Sequence, residues 1–180
     1  IPDCAEVNES QSYAGWNYYK MGARTNQKDI LVEVDWTENS NYCKDAAGIV
    51  KSIAFMKKYN FNLIVDAGKV VCSGYEELYK GNEINSVGKY YTQYVEWGSA
   101  NSTQVSVHKL KADSMRLSRL PVFHYAVLHK SLADVGGGGS AEVFGNDIKI
   151  GTGTNEYVFV HELGHNLGLH HGGFEAKNFK

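Results

Sequence analysis

Polar and hydrophobic residues alternate along the segment 29–36 of this chain. Every second position is apolar: Ile30, Val32, Val34 and Trp36. Because successive side chains of a strand point to opposite faces of a sheet, this period of two predicts a half-buried β-strand.

The next segment, Ala46–Tyr59, has the periodicity of a helix. Its apolar residues form one stripe at helical spacing: Ile49, Val50, Ile53, Ala54 and Met56. Asn60 is expected to end this helix, since asparagine is one of the residues found after a helix terminus. The run 62–66 (NLIVD) then predicts a short buried strand. A strand, a helix and a strand in this order predict a parallel pair with a right-handed crossover.

Two strands are predicted in the second half of the chain. The run 121–129 (PVFHYAVLH) predicts a strand with His124 and His129 on opposite faces. Residues 142–150 predict an edge strand. The segment 136–140 (GGGGS) between them resembles a flexible linker, yet it falls inside the domain, so we interpret it as a natural mobile loop.

The middle of the chain is less informative. Residues 90–97 are rich in aromatic side chains and are compatible with a strand or with a buried helix. No residues between Gly74 and Asp113 have the spacing of metal ligands. The lone His108 is therefore interpreted as a surface or packing histidine.

The segment 160–171 (VHELGHNLGLHH) carries the strongest chemical signal. His161 and His165 lie four residues apart, so on a helix both imidazoles project from one face and can share a metal ion. Glu162 follows the first of them and is placed to hold a water. Gly168 is a position where the helix can end, because glycine enters the left-handed conformation without a Cβ penalty. Thr154 or Asn155 is expected to cap this helix at its start.

A third ligand is expected from the turn after this helix. Both His170 and His171 are available on composition alone. His171 is preferred because of its spacing from Gly168 and His165.

The pattern His161-Glu162-x-x-His165-x-x-Gly168-x-x-His171 resembles the long zinc signature of the metzincin metallopeptidases, in particular their secreted microbial members. The resemblance implies that the three histidines bind Zn²⁺ and that Glu162 is the general base. It also implies an α/β (α+β) fold: a metzincin-like N-terminal subdomain with a twisted mixed sheet, a backing helix and an active-site helix. In such folds an extended substrate peptide aligns along the edge strand.

One part of the family pattern does not appear in this sequence. Members of the family have a methionine-containing turn after the third histidine, but only nine residues follow His171 and none is methionine. We interpret the chain as a fragment that lacks most of its C-terminal subdomain.

Length and charge exclude several other classes of protein. The 180 residues predict one domain, residues 1–180, that is large enough for a hydrophobic core. A formal net charge of −2 gives no reason to expect a nucleic acid as partner, and no apolar run is long enough to span a membrane. Three cysteines, Cys4, Cys43 and Cys72, allow one disulfide, whose pairing the spacing leaves open. A chain that begins with Ile1 suggests that a leader has been removed, and the expected location is secreted.

The sequence therefore predicts a zinc-dependent endopeptidase that acts on protein or peptide substrates through a water activated by Glu162. The alternative is a catalytically inactive, zinc-stabilised domain that binds other proteins. The oligomeric state stays open.

Overall fold

The computed structural model describes residues 12, 15–37, 42–67, 94–98, 104–129, 138–151 and 157–172 of the chain. The elements in chain order are α1 (Tyr18–Met21), β1 (Lys28–Trp36), α2 (Tyr42–Lys58), β2 (Phe61–Asp66), β3 (Tyr94–Glu96), β4 (Gln104–Ser106), α3 (Val107–Ser114), β5 (Phe123–His129), β6 (Gly139–Ala141), β7 (Asp147–Gly151) and α4 (Val158–Asn166). The longest of these helices, α2, has 17 residues. The part of the chain that the structure describes contains no candidate transmembrane helix.

Five of the strands form one mixed sheet in the order β2-β1-β5-β7-β6. The first four strands are parallel, and β6 pairs antiparallel with β7. Strands β3 and β4 form a separate parallel pair. The mixed sheet with its packed helices confirms the predicted α/β (α+β) class.

The predicted succession of β1, α2 and β2 is confirmed. The parallel register pairs Lys28 with Phe61 and Glu33 with Asp66. Asn60 follows the helix with a φ of 63°, in the left-handed region that asparagine tolerates. The apolar stripe of α2 differs from the prediction in one position, because Ala54 is exposed. Ser52 is buried instead, and its hydroxyl donates a hydrogen bond to the Gly48 carbonyl at 2.9 Å.

The prediction that β1 is half-buried is wrong. All six residues from Ile30 to Asp35 are buried. Helices α2 and α4 pack on one face of the sheet, and α1, α3 and Trp16 pack on the other. The alternation that suggested a solvent-facing side comes from Glu33 and Asp35, which are charged side chains inside the second core.

The predicted edge strand is also wrong. Residues 142–146 form a turn, and β7 lies inside the sheet between β5 and β6. The edge strand on this side of the sheet is β6, in which Gly139 pairs with Ile150 and Ala141 with Ile148. Part of the glycine-rich segment that we interpreted as a mobile loop therefore forms a strand, since backbone hydrogen bonds require no particular side chain. Gly136 and Gly137 lie outside the described residues.

Several smaller predictions meet the limits of the described residues. Tyr94–Glu96 is a strand, and residues 90–93 lie outside. Helix α4 begins at Val158 after Tyr157, which makes no side-chain cap, and the predicted capping residues Thr154 and Asn155 lie outside the described residues. The disulfide question stays a prediction, because Cys4, Cys72 and the side chain of Cys43 are outside the described part.

Candidate metal centre

Helix α4 has an apolar face that fixes its orientation on the sheet. Phe159 and Leu163 are one turn apart and are buried in the core beneath α2 and the sheet. His161 and His165 are offset from them by two positions, which places the imidazoles on the far side of the helix. Their ring centroids lie 4.8 Å apart. Packing of the apolar face thus presents both histidines away from the core.

The turn after α4 brings the third histidine back toward the helix. Gly168 has a φ of +90°, and its N–H donates to the His165 carbonyl at 2.8 Å. The N–H of Leu169 donates to the Gly164 carbonyl at 2.9 Å. These bonds satisfy carbonyls at the end of the helix and reverse the chain. The helix therefore ends before Gly168, as the sequence predicted.

Three imidazole nitrogens converge on one point. The Nε2 atom of His171 lies 2.8 Å from Nε2 of His161 and 3.1 Å from Nε2 of His165. Four ligands arranged tetrahedrally at 2.0–2.1 Å from a zinc ion are about 3.3 Å from one another. The spacing of the nitrogens therefore fits a single small metal ion, and the donor set of three imidazoles suits zinc.

A backbone carbonyl fixes which ring nitrogen of His165 donates a hydrogen bond. Its Nδ1 lies 2.6 Å from the Leu169 carbonyl oxygen, which can only accept a hydrogen bond. Nδ1 therefore donates this hydrogen bond, and in the neutral tautomer that does so Nε2 presents its lone pair to the cluster. A metal-binding histidine needs this tautomer, and such a partner on its other nitrogen is typical of metal sites.

His170 lies apart from this cluster. It is exposed, and its ring meets Phe144 edge-on with 6.3 Å between centroids. The group of side chains that could hold a metal at this place consists of His161, His165 and His171. The geometry favours His171 over His170, and the role of the three histidines as ligands stays a prediction.

Glu162 lies beside the cluster with little contact to solvent. The side chain is 4% exposed, and its Oε2 atom has no hydrogen-bond partner among the described residues. Burial raises the pKa of its carboxyl group, and the nearby side chains of His165 and His171 act in the opposite direction. Together with both histidines and strand β6, Glu162 lines a cleft of about 260 Å³.

Asn166 has a supporting role that the sequence reasoning did not identify. Its side-chain amide donates to the carbonyls of Glu142 and Asp147 at 2.8 and 3.1 Å, and its Oδ1 lies 3.0 Å from Nδ1 of His124. The amide thereby ties α4 to the turn before β7. The available signal was its spacing from Phe159 and Leu163, which puts Asn166 on the apolar face of the helix, where an amide requires hydrogen-bond partners.

A second group of potential ligands consists of His108, Glu142 and Asp147. His108 Nδ1 is 2.8 Å from Asp147 Oδ2, and its Nε2 is 3.9 Å from Glu142 Oε1. The Lys111 ammonium group, however, is 2.5 Å from the other Asp147 oxygen. A cation already neutralises this carboxylate, so the arrangement is an ion-pair cluster. His108 is exposed and packs against Trp97, as expected for a surface or packing histidine.

Comparison of the chain with models of known protein families, with curated proteins and with solved structures gave no match. Membership of the metzincin family therefore stays a prediction that rests on the motif. The functional argument depends on the geometry of α4, the turn after it and strand β6.

Proposed function

We propose that this protein is a zinc-dependent endopeptidase with a metzincin-like catalytic domain. The observation that supports this most directly is the convergence of three Nε2 atoms beside a buried carboxyl group that has no hydrogen-bond partner among the described residues. A structural zinc site uses four protein ligands, whereas a catalytic site uses three and leaves a position open.

His161, His165 and His171 would hold the zinc ion. When bound, zinc acts as a Lewis acid that polarises a carbonyl group and lowers the pKa of water. The tautomer of His165 is already fixed for this role by the Leu169 carbonyl.

Glu162 would act as the general base and then as the general acid. Its carboxylate accepts a proton from the attacking water, and the same carboxyl group delivers that proton to the leaving amine as the C–N bond breaks. Burial raises the pKa of Glu162, which brings the carboxyl group closer to the range in which it can both accept and release a proton.

Strand β6 would hold the substrate in extended form. It is the last strand of the five-stranded sheet and lines the cleft together with Glu162, His165 and His171. An edge strand can bind a peptide by adding it to the sheet, through backbone hydrogen bonds that are independent of side-chain identity. Protein substrates in extended conformation fit such a site better than compact small molecules do.

The test is cleavage of an unfolded protein by the zinc-loaded protein and by its Glu162→Ala variant. We expect cleavage by the wild type, and a loss of about 10²- to 10⁴-fold in the variant with zinc still bound. Glu142→Ala is the matched control, because this glutamate is close in space to the cleft wall but belongs to the ion-pair cluster. It should cleave like the wild type.

Two outcomes would contradict the proposal. Equal cleavage by wild type and Glu162→Ala would show that another group, or a contaminant, performs the reaction. No cleavage by the wild type with one zinc ion bound would support the alternative function, a zinc-stabilised domain that binds proteins without cutting them.

A further inference from the structure

Gly139 occupies the first position of strand β6. It pairs with Ile150, and the carbonyl of the preceding Gly138 accepts a hydrogen bond from Gly151 at 3.0 Å. Glycine weakens a strand relative to alanine, because it loses more backbone entropy and packs no side chain. A glycine inside a strand often marks a place where another group approaches closely.

The group that approaches Gly139 is the side chain of Glu162. A Cβ atom added at Gly139 would lie 2.4 Å from Glu162 Cγ and 2.8 Å from both its Cδ and its Oε1. Carbon atoms in contact are normally separated by about 3.5–4.0 Å. The closest overlap is with Cγ, near the base of the side chain, so rotating the carboxylate alone would not relieve it.

Neither partner of this contact can withdraw easily. On the side of Gly139, the neighbouring Ser140 pairs with Lys149 and accepts a hydrogen bond from Trp97 Nε1 at 2.8 Å. On the side of Glu162, the next residue of α4, Leu163, is fully buried in the core. An added methyl group would therefore act on the conformation of the Glu162 side chain.

We propose that Gly139 is a positioning residue for Glu162. The absence of a side chain at this position allows the Glu162 carboxyl to lie against the edge strand and to face the cleft that it shares with His165 and His171. This inference rests on the proposed function for its catalytic consequence. The claim that a side chain at position 139 would displace Glu162 depends only on the contact between Gly139 and Glu162.

The catalytic test compares Gly139→Ala with Gly145→Ala. An added Cβ at Gly145 would lie 2.3 Å from both Cβ and Oε2 of Glu142, which is an equally severe overlap with a glutamate outside the site. We expect Gly139→Ala to lower kcat by about ten- to a hundredfold, as a displacement of about 1 Å at a reacting group does, with KM and zinc content unchanged. Gly145→Ala should keep its kcat. Equal kcat values for Gly139→Ala and the wild type, or equal losses in both variants, would overturn the proposal.

A second test uses no activity and no zinc. Gly139→Ala is introduced into the wild type and into Glu162→Ala, in which the overlapping Cγ, Cδ and Oε1 atoms are absent. We expect the substitution to lower the Tm of the wild type and to leave unchanged or raise the Tm of Glu162→Ala, because a double-mutant cycle isolates the contact between two residues. An equal loss of Tm in both backgrounds would overturn the proposal.

The two tests separate the possible failures. If Gly139→Ala does not fold in the wild-type background, folding of the double variant still supports the contact, and failure of both overturns the proposal. If the wild type cleaves no substrate, the proposed function fails, while the Tm comparison still decides whether Gly139 positions Glu162.

Discussion

The two faces of the five-stranded sheet differ in whether they bury charged side chains. Toward α2 and α4, the residues that strands β1 and β2 bury are apolar: Ile30, Val32, Val34, Leu63 and Val65. Toward α1 and α3, the same strands bury Glu33, Asp35 and Asp66. On the first side, His161 and His165 lie on the outer surface of α4 and His171 lies on the turn after it.

The buried charges of the second face are held by partners from within the protein. The Arg119 guanidinium donates to Glu33 at 2.8 Å and to Asp66 at 2.6 Å. Trp16 covers its other surface, with 3.9 Å from the guanidinium carbon to the ring centroid. Because its charged groups are paired inside the core, this cluster has a structural role. The open histidine cluster, whose nitrogens face one another, has the arrangement expected for binding an ion.

The largest expected effect is a loss of zinc binding, which should follow from a substitution at the histidine cluster and not from one in the buried charged cluster. His165→Ala should abolish zinc binding, because two imidazoles and a water seldom hold zinc as tightly as three imidazoles do. Asp35→Asn, a change in the buried cluster, should bind one zinc ion like the wild type. Equilibrium dialysis with zinc analysis measures both, and full zinc binding by His165→Ala would refute its role as a ligand.

The next largest effect concerns the stability of the charged face. Arg119→Ala should lower the free energy of unfolding by about 3–5 kcal/mol, since it leaves Glu33 and Asp66 buried without their cation. The exposed Arg116, which lies near the same Trp16 ring, is the matched control. Its replacement by alanine should change stability by no more than about 0.5 kcal/mol. Urea unfolding of both variants tests the difference, and a small effect of Arg119→Ala would mean that the cluster is not closed to water.

A third effect is a pH dependence of stability that originates from Asp35. Burial, followed by the negative charge of Glu33, raises the pKa of Asp35 from 3.8 to about 7. The unfolded chain loses this proton near pH 4 and the folded protein retains it until about pH 7. The free energy of unfolding should therefore fall as the pH rises between these values, by up to roughly 4 kcal/mol, and level off above them.

Asp35→Asn isolates this contribution. The amide keeps an oxygen that can accept from Ser114 and Tyr125, which lie 2.6 and 2.8 Å from Asp35 Oδ2, and it cannot ionise. The difference in unfolding free energy between the wild type and this variant should change with pH from 4 to 7. A difference that is constant over this range would contradict the assignment to Asp35.

The smallest effect is expected for a charge pair outside the core. Lys109 and Asp113 form an ion pair of 2.9 Å along α3, with the lysine side chain about half exposed. Lys109→Ala should lower the free energy of unfolding by no more than about 0.5 kcal/mol, because solvent screens such pairs. Adding salt should remove even this difference. A loss as large as that of Arg119→Ala would mean that burial is not what distinguishes the two pairs.

The sequence predicted the local structure and the site residues where the signal is contained in a short segment. The period-two pattern predicted β1, the apolar stripe predicted α2, and Asn60 predicted where α2 ends. These features were predictable because they depend on residues that are close in the sequence. The histidines of the site lie within eleven residues, on one helix and the turn that Gly168 begins. Their convergence therefore followed from helix geometry and from a single glycine.

Features that join distant segments were not predictable in the same way. Strand β6 has three residues with no hydrophobic pattern, and it becomes the edge strand only because β7 offers its backbone hydrogen bonds. The cluster of Arg119 joins residues 86 and 53 positions away along the chain.

The sequence by itself determined the strand and helix periods, the class of fold and the spacing of three histidines and a glutamate. Only the tertiary structure decided that Glu33 and Asp35 are buried, that β6 forms the cleft wall and that Gly139 touches Glu162. The physical reason is that periodicity records which side chains share a face. It does not record what lies against that face, which is set by the packing of segments that are far apart in the chain.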